Sequence, residues 1–143
     1  MEHNVNFLAA IPMLPLVGAL ILGVLHLLYC KGIRFSEKIY GILACIGPAL
    51  ATVMAVKVYF NLRLFPEEAR FMVQEAFTWI QVGEMNISMG FLADPLSSLM
   101  LLFVTFIGTL IHVYSVGYMA HDPGVPRFMS YISLFTFFML MLV

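Results

Sequence analysis

Cysteine and charge are both scarce in this chain, and the two shortages remove most of the usual functional classes. The two cysteines among 143 residues, Cys30 and Cys45, lie in separate apolar segments. Neither a disulfide framework nor a zinc site is indicated, and both are expected to behave as small buried hydrophobes. Charged residues make up 10% of the chain, far below the share of about 25% with which a soluble domain covers its surface. Their balance, 7 basic against 8 acidic, gives a net charge of −1. With no basic field and no run of like charge, nucleic-acid binding is set aside. The sequence also lacks a glycine-rich phosphate loop, a cysteine cluster for iron and sulfur, a nucleophile with a base, and a pair of opposed carboxylates. These residues alone carry no complete catalytic site.

What the chain has in excess is apolar side chain, 62% of its residues. A core of this size could not hide so much, so the reading is an all-α integral membrane protein. A bilayer core about 30 Å thick needs around 20 apolar residues in a helix whose amides are bonded internally. Four stretches approach this, at about 7–29, 39–59, 95–118 and 128–143. The opening Met-Glu-His-Asn lacks the positive region of a secretory signal, so the first stretch is expected to remain as a spanning helix. Its Pro12 and Pro15 fit best in the opening turns, while Pro48 in the second stretch predicts a kink. The third stretch is entered through Asp94-Pro95, a capping carboxylate before a proline at the first helical position. The fourth reads as incomplete, because it is still apolar at Val143. A truncated chain is the corresponding expectation.

Lys31, Arg34 and Lys38 in the first connection and Arg127 in the third stand against Lys57, Arg63 and Arg70 on the other side. That bias puts the first and third connections in the cytoplasm and the N-terminus outside. The second connection also holds Glu67, Glu68, Glu75 and Glu84, which weigh little in that rule. Within it, Met85, Ile87, Met89 and Phe91 alternate with Asn86, Ser88 and Gly90, the period of a half-buried strand. With Phe77 and Trp79 beyond a Gly83-Glu84 turn, this predicts a short β-hairpin at about 75–91 in the outer loop, lying over the helix ends. An interfacial loop anchored by Phe77 and Trp79 is the alternative.

Polar residues inside the spans are the candidates for function, because they are costly there. Lys57 and His26 stand near helix ends and are read as interfacial. On the third helix, at 100° per residue, Asp94, Thr105, Thr109, His112 and Ser115 fall within about 60° of a common line. Ser97, Ser98 and Gly108 share the stripe. Leu99, Met100, Phe103, Ile107 and Leu110 occupy the other face. The stripe is either a proton path from Asp94 to His112, some 27 Å by helical rise, or a packing seam in which hydroxyls bond between helices or to their own carbonyls. Packing is preferred, since the middle holds only hydroxyls. The second helix supports it with Gly47, Ala51 and Ala55, a small-residue ridge repeating every four residues.

The run Phe91-Leu-Ala-Asp-Pro-Leu-Ser-Ser-Leu-Met, then Ile111-His-Val-Tyr-Ser-Val-Gly-Tyr-Met and Arg127-Phe-Met-Ser-Tyr-Ile-Ser-Leu-Phe, closely resembles one family. It is the large antiporter-like membrane subunit (subunit L, chain 5) of proton-translocating NADH:quinone oxidoreductase, respiratory complex I. The likeness covers Phe77 to Val143 well and the first two helices loosely. It implies the N-terminal part of a multi-pass pump subunit in a bacterial inner membrane, packed against lipid and other membrane subunits of the complex. It implies no cofactor here, with NADH, FMN, iron–sulfur clusters and quinone in partner subunits. The proton channel would be built beyond this block, from a glutamate in the next helix and lysines in later broken helices. The same block occurs in cation/proton antiporter and membrane-bound hydrogenase subunits, and a non-transporting membrane scaffold is the alternative from another class.

Overall fold

The computed structural model describes residues 3–4, 7–33, 35–65, 71–83 and 85–143. Arg34, Glu67, Glu68, Arg70 and Glu84, used above for orientation and the hairpin turn, lie outside the described residues. The chain order is β1 (His3–Asn4), α1 (Ala10–Cys30), α2 (Glu37–Leu64), β2 (Met72–Val82), β3 (Met85–Ala93), α3 (Pro95–Tyr118) and α4 (Val125–Leu142). All four helices are long and apolar enough to cross a membrane.

Helix ends follow local chemistry more closely than hydropathy. α3 spans the expected residues because Asp94 caps it and Pro95 needs no amide partner. α2 runs beyond the apolar stretch at both ends, taking in Glu37, Lys38, Asn61 and Arg63, since polar turns continue a helix outside the bilayer. It also continues as helix through Pro48. α4 begins at Val125 rather than near Phe128, with Pro126 in its first turn. Its 18 residues span about 27 Å, within the range for a crossing helix.

α1 packs on α2 and α4, and α3 on the same two helices; α2 and α4 also touch each other. The small-residue ridge explains the approach of α1 to α2. Ala51 and Ala55 are fully buried, and a Cβ on Gly47 would meet the Leu14 carbonyl oxygen at 2.9 Å and Pro15 Cα at 3.3 Å. Because lipid is as apolar as leucine, this close backbone contact, and not water exclusion, holds the helices together. Pro15 lies inside α1, so the contact falls where α1 has already given up one amide.

β2 and β3 form an antiparallel hairpin with register shifts between Glu75 and Phe77 and between Thr78 and Ile80. Val82 pairs with Met85, and Gly83 takes a φ of 60°, which glycine adopts without strain. β1 adds parallel to the base of β2, His3 opposite Met72. Among the described residues, that base is what joins the bundle. Met72 and Ala93 are buried with Leu8, Ile11 and Leu62, and Gln74 Oε1 accepts the Ala9 amide at the start of α1. Phe77, Trp79, Val82, Met85 and Met89 are exposed. The hairpin therefore extends from the helix ends instead of lying over them.

Candidate functional site

The α3 stripe is the buried side of that helix. Ser98, Thr105, His112 and Ser115 are all buried, joined from α4 by Ser133 and Thr136. Leu99, Met100, Phe103, Ile107 and Leu110 are exposed. The sequence-derived candidates thus share one seam, facing α2 and α4, but the hydrogen bonds divide them into three groups.

At the entrance, Asp94 and Ser97 form a reciprocal cap. The Ser97 amide donates to Asp94 Oδ1 at 2.6 Å, and the Asp94 amide donates to Ser97 Oγ at 2.9 Å. The Ser97 amide, then its hydroxyl, hold the Asp94 pKa below the ordinary carboxylate value. One turn in, Ser98 Oγ donates to the Pro95 carbonyl at 2.9 Å.

Mid-helix, Thr105 Oγ1 donates to the Leu101 carbonyl at 2.8 Å, and Thr109 Oγ1 to the Thr105 carbonyl at 2.8 Å. Thr52 on α2 stands 2.9 Å from Thr109 Oγ1 and 2.9 Å from the Pro48 carbonyl. Thr52 and Thr109 have two hydroxyl protons for three contacts, so at least one contact is shared or momentarily empty.

Deeper, His112 Nδ1 lies 2.7 Å from the Gly108 carbonyl, and Nε2 lies 3.1 Å from Ser133 Oγ. A carbonyl only accepts, so Nδ1 carries a proton. In the neutral ring Nε2 then accepts from the Ser133 hydroxyl, which fixes the tautomer and joins α3 to α4. Ser115 lies one turn further on, buried, with its carbonyl accepting the Met119 amide that closes the helix.

Three of the seam's members were not singled out from sequence: Thr52, Ser133 and Thr136. Ser130, Ser133 and Thr136 recur every three residues in an apolar run, which was the available signal. Ser130 itself donates to the Ala19 carbonyl on α1 at 2.9 Å. Lys57 is exposed. His26 is half-buried, its Nε2 3.9 Å from Cys30 Sγ and its Nδ1 without a hydrogen-bond partner among the described residues. Among the described residues no three His, Cys, Asp or Glu side chains come together to hold a metal. Chemically, the seam can align helices and hold protons at fixed places, with Thr105 bonded back to its own backbone and Thr52 and Thr109 sharing two protons among three contacts.

Residues 79–129, which contain the Asp94 cap, all of α3 and the start of α4, match the family described as NADH-Ubiquinone oxidoreductase (complex I), chain 5 N-terminus. This chain is similar to the N-terminal region of complex I chain 5. It is 39% identical over 130 residues to NADH-ubiquinone oxidoreductase chain 5 of Dictyostelium discoideum, covering 91% of this chain and 18% of that protein. It is 39% identical over its full 143 residues to NAD(P)H-quinone oxidoreductase subunit 5, chloroplastic, of Zygnema circumcarinatum, 20% of that protein. The similarity to NADH-quinone oxidoreductase subunit L of Rickettsia bellii is 35% over 131 residues, 92% of this chain and 19% of that protein. The chain therefore spans about a fifth of the length of these chain 5 relatives. With four crossing helices and membrane-subunit homologues, it is a multi-pass integral membrane protein.

Proposed function

We propose that this chain serves as the N-terminal transmembrane segment of the proton-translocating membrane-arm subunit of an NADH:quinone oxidoreductase. In this reading it sits in an energy-transducing membrane, a bacterial inner membrane in the first instance, beside other membrane subunits of the complex. NADH, FMN, iron–sulfur clusters and quinone would be held by those partners, and this segment would contribute to coupling by holding its helices in register. The observation that carries the reading is the similarity to chain 5 and subunit L proteins across the whole chain, centred on the capped helix α3.

A scaffold role within that subunit is favoured by one structural feature. At the middle of α3, Thr105 donates to a carbonyl one turn back, and Thr109 is within reach both of the Thr105 carbonyl and of Thr52 on α2. The Thr105 bond satisfies a hydroxyl in place and does not hand a proton onward. The test is co-purification. The chain, tagged in its native host, should bring down NADH-oxidising, quinone-reducing activity from solubilised membranes. Recovery with hydrogenase or antiporter subunits, or with no partner, would overturn the assignment.

A further inference from the structure

At the hairpin end of the bundle, a cavity of about 270 Å³ opens between the last turns of α2 and the first turn of α3, lined by Tyr59, Leu62, Arg63, Pro95, Ser98 and Leu99. Its chemistry is lopsided. The Arg63 guanidinium lies 4.9 Å from the centre of the Tyr59 ring, and among the described residues it has no carboxylate partner. Asp94, the cap of α3, accepts the Ser97 amide through Oδ1, and among the described residues it forms no ion pair with Arg63. Ser98 likewise spends its proton on the Pro95 carbonyl, and Pro95 has no amide to offer. Among the described residues the donors left at this cleft are the guanidinium and the Tyr59 hydroxyl, beside the apolar Leu62 and Leu99.

Position decides what such a site meets. α2 ends at Leu64, and Arg63 lies about one turn past its apolar stretch, which places it at the level of lipid headgroups. An occupant must accept hydrogen bonds, carry negative charge, and present an apolar part to Leu62 and Leu99. A planar guanidinium held beside an aromatic ring, as Arg63 is by Tyr59, can bind phosphate oxygens in bidentate fashion. We infer that this cleft is a binding site for the phosphodiester headgroup of an anionic phospholipid. Arg63 and Tyr59 hold the phosphate, and the acyl chains run down the α2–α3 groove.

The test is retention of radiolabelled lipid by the purified chain, kept with whatever assembly holds it, after delipidation and gel filtration. Separate arms use labelled phosphatidylglycerol, phosphatidylcholine and inorganic phosphate. Phosphatidylglycerol should be retained in preference to phosphatidylcholine, and Arg63→Gln should lower that retention about five-fold, the effect of one basic residue near a membrane surface. Tyr59→Leu should also lower it, and Arg63→Lys should keep part of it, since the charge remains but the flat fork is lost. Lys57→Gln, which changes another exposed cation on the same helix, should leave it unchanged. Arg63 is exposed, so these variants should keep the fold. Equal retention of the two lipids, unchanged retention in both Arg63 variants, or inorganic phosphate displacing phosphatidylglycerol would each overturn the inference.

Discussion

Nε2 of His112 on α3 lies 3.1 Å from Oγ of Ser133 on α4, and both residues are fully buried. This contact fixes the rotation of two helices about their own axes at one depth. Interhelical hydrogen bonds in membranes average about 0.6 kcal/mol, with a maximum near 1.7. Ser133→Ala should therefore destabilise the helix bundle by about 0.5–1.5 kcal/mol, read as a shift in the denaturant midpoint of the chain in detergent micelles. An unchanged midpoint would mean that the contact does not hold the helices.

A larger effect is expected at Gly47. Its Cβ would meet the Leu14 carbonyl oxygen at 2.9 Å, whereas one on Gly18 would meet nothing within 4 Å. The obstacle at Gly47 is backbone, which cannot swing aside. Gly47→Ala should cost about 1–3 kcal/mol by forcing α1 from α2, while Gly18→Ala should be neutral or slightly stabilising. The same unfolding measurement checks both, and equal midpoints for the two variants would contradict the packing described.

Asp94 gives a pH signature. Its folded pKa is depressed, first by the Ser97 amide and then by the Ser97 hydroxyl. The cap's contribution is therefore present above the ordinary carboxylate pKa and is lost as pH falls through the lower, folded value. Asp94→Ala should cost about 1 kcal/mol at neutral pH, and Asp94→Asn only a few tenths, since the amide oxygen still caps. Comparing wild type and Asp94→Asn by unfolding across the acid range, the wild type alone should lose this increment. Parallel acid profiles would show that the carboxylate's charge contributes nothing.

The topology is checked by placing single cysteines at Lys31 and Gln81, with Cys30 and Cys45 replaced by serine. Lys31 follows α1 and Gln81 is on the hairpin, and both are exposed. A membrane-impermeant thiol reagent should label the two from opposite sides of sealed vesicles, Lys31→Cys from the cytoplasmic side. Labelling of both from one side would contradict the four-helix crossing pattern.

The sequence made α3 legible in full, because Asp94-Pro95 is a chemical start signal and the segregation of Thr105, Thr109 and His112 from Leu99 and Phe103 survives any packing arrangement. The ends of α2 were less legible. Hydropathy detects where the bilayer is, and Asn61 and Arg63 extend the helix past it. β1 had no local signal at all, since its two residues are defined only by pairing with Met72 and Val73. The partners of the seam, Thr52 and Ser133, depend on how helices distant in sequence are rotated against each other, and short hydroxyl side chains in an apolar run do not encode that. The alternation at Met85–Phe91 showed the strand, but not that both hairpin faces stay open.

On the proposed function, the seam around His112 packs the N-terminal helices of a complex I membrane subunit and does not itself carry the pumped protons. The most direct measurement is the proton-to-electron stoichiometry of NADH oxidation in membrane vesicles, for His112→Gln in the full-length subunit, set against the amount of assembled complex. Glutamine can keep hydrogen bonds to the Gly108 carbonyl and Ser133 but has no group that titrates near neutral pH. Normal stoichiometry with slightly reduced assembly is the expected result. A halved stoichiometry at normal assembly would show that the seam is a conduit.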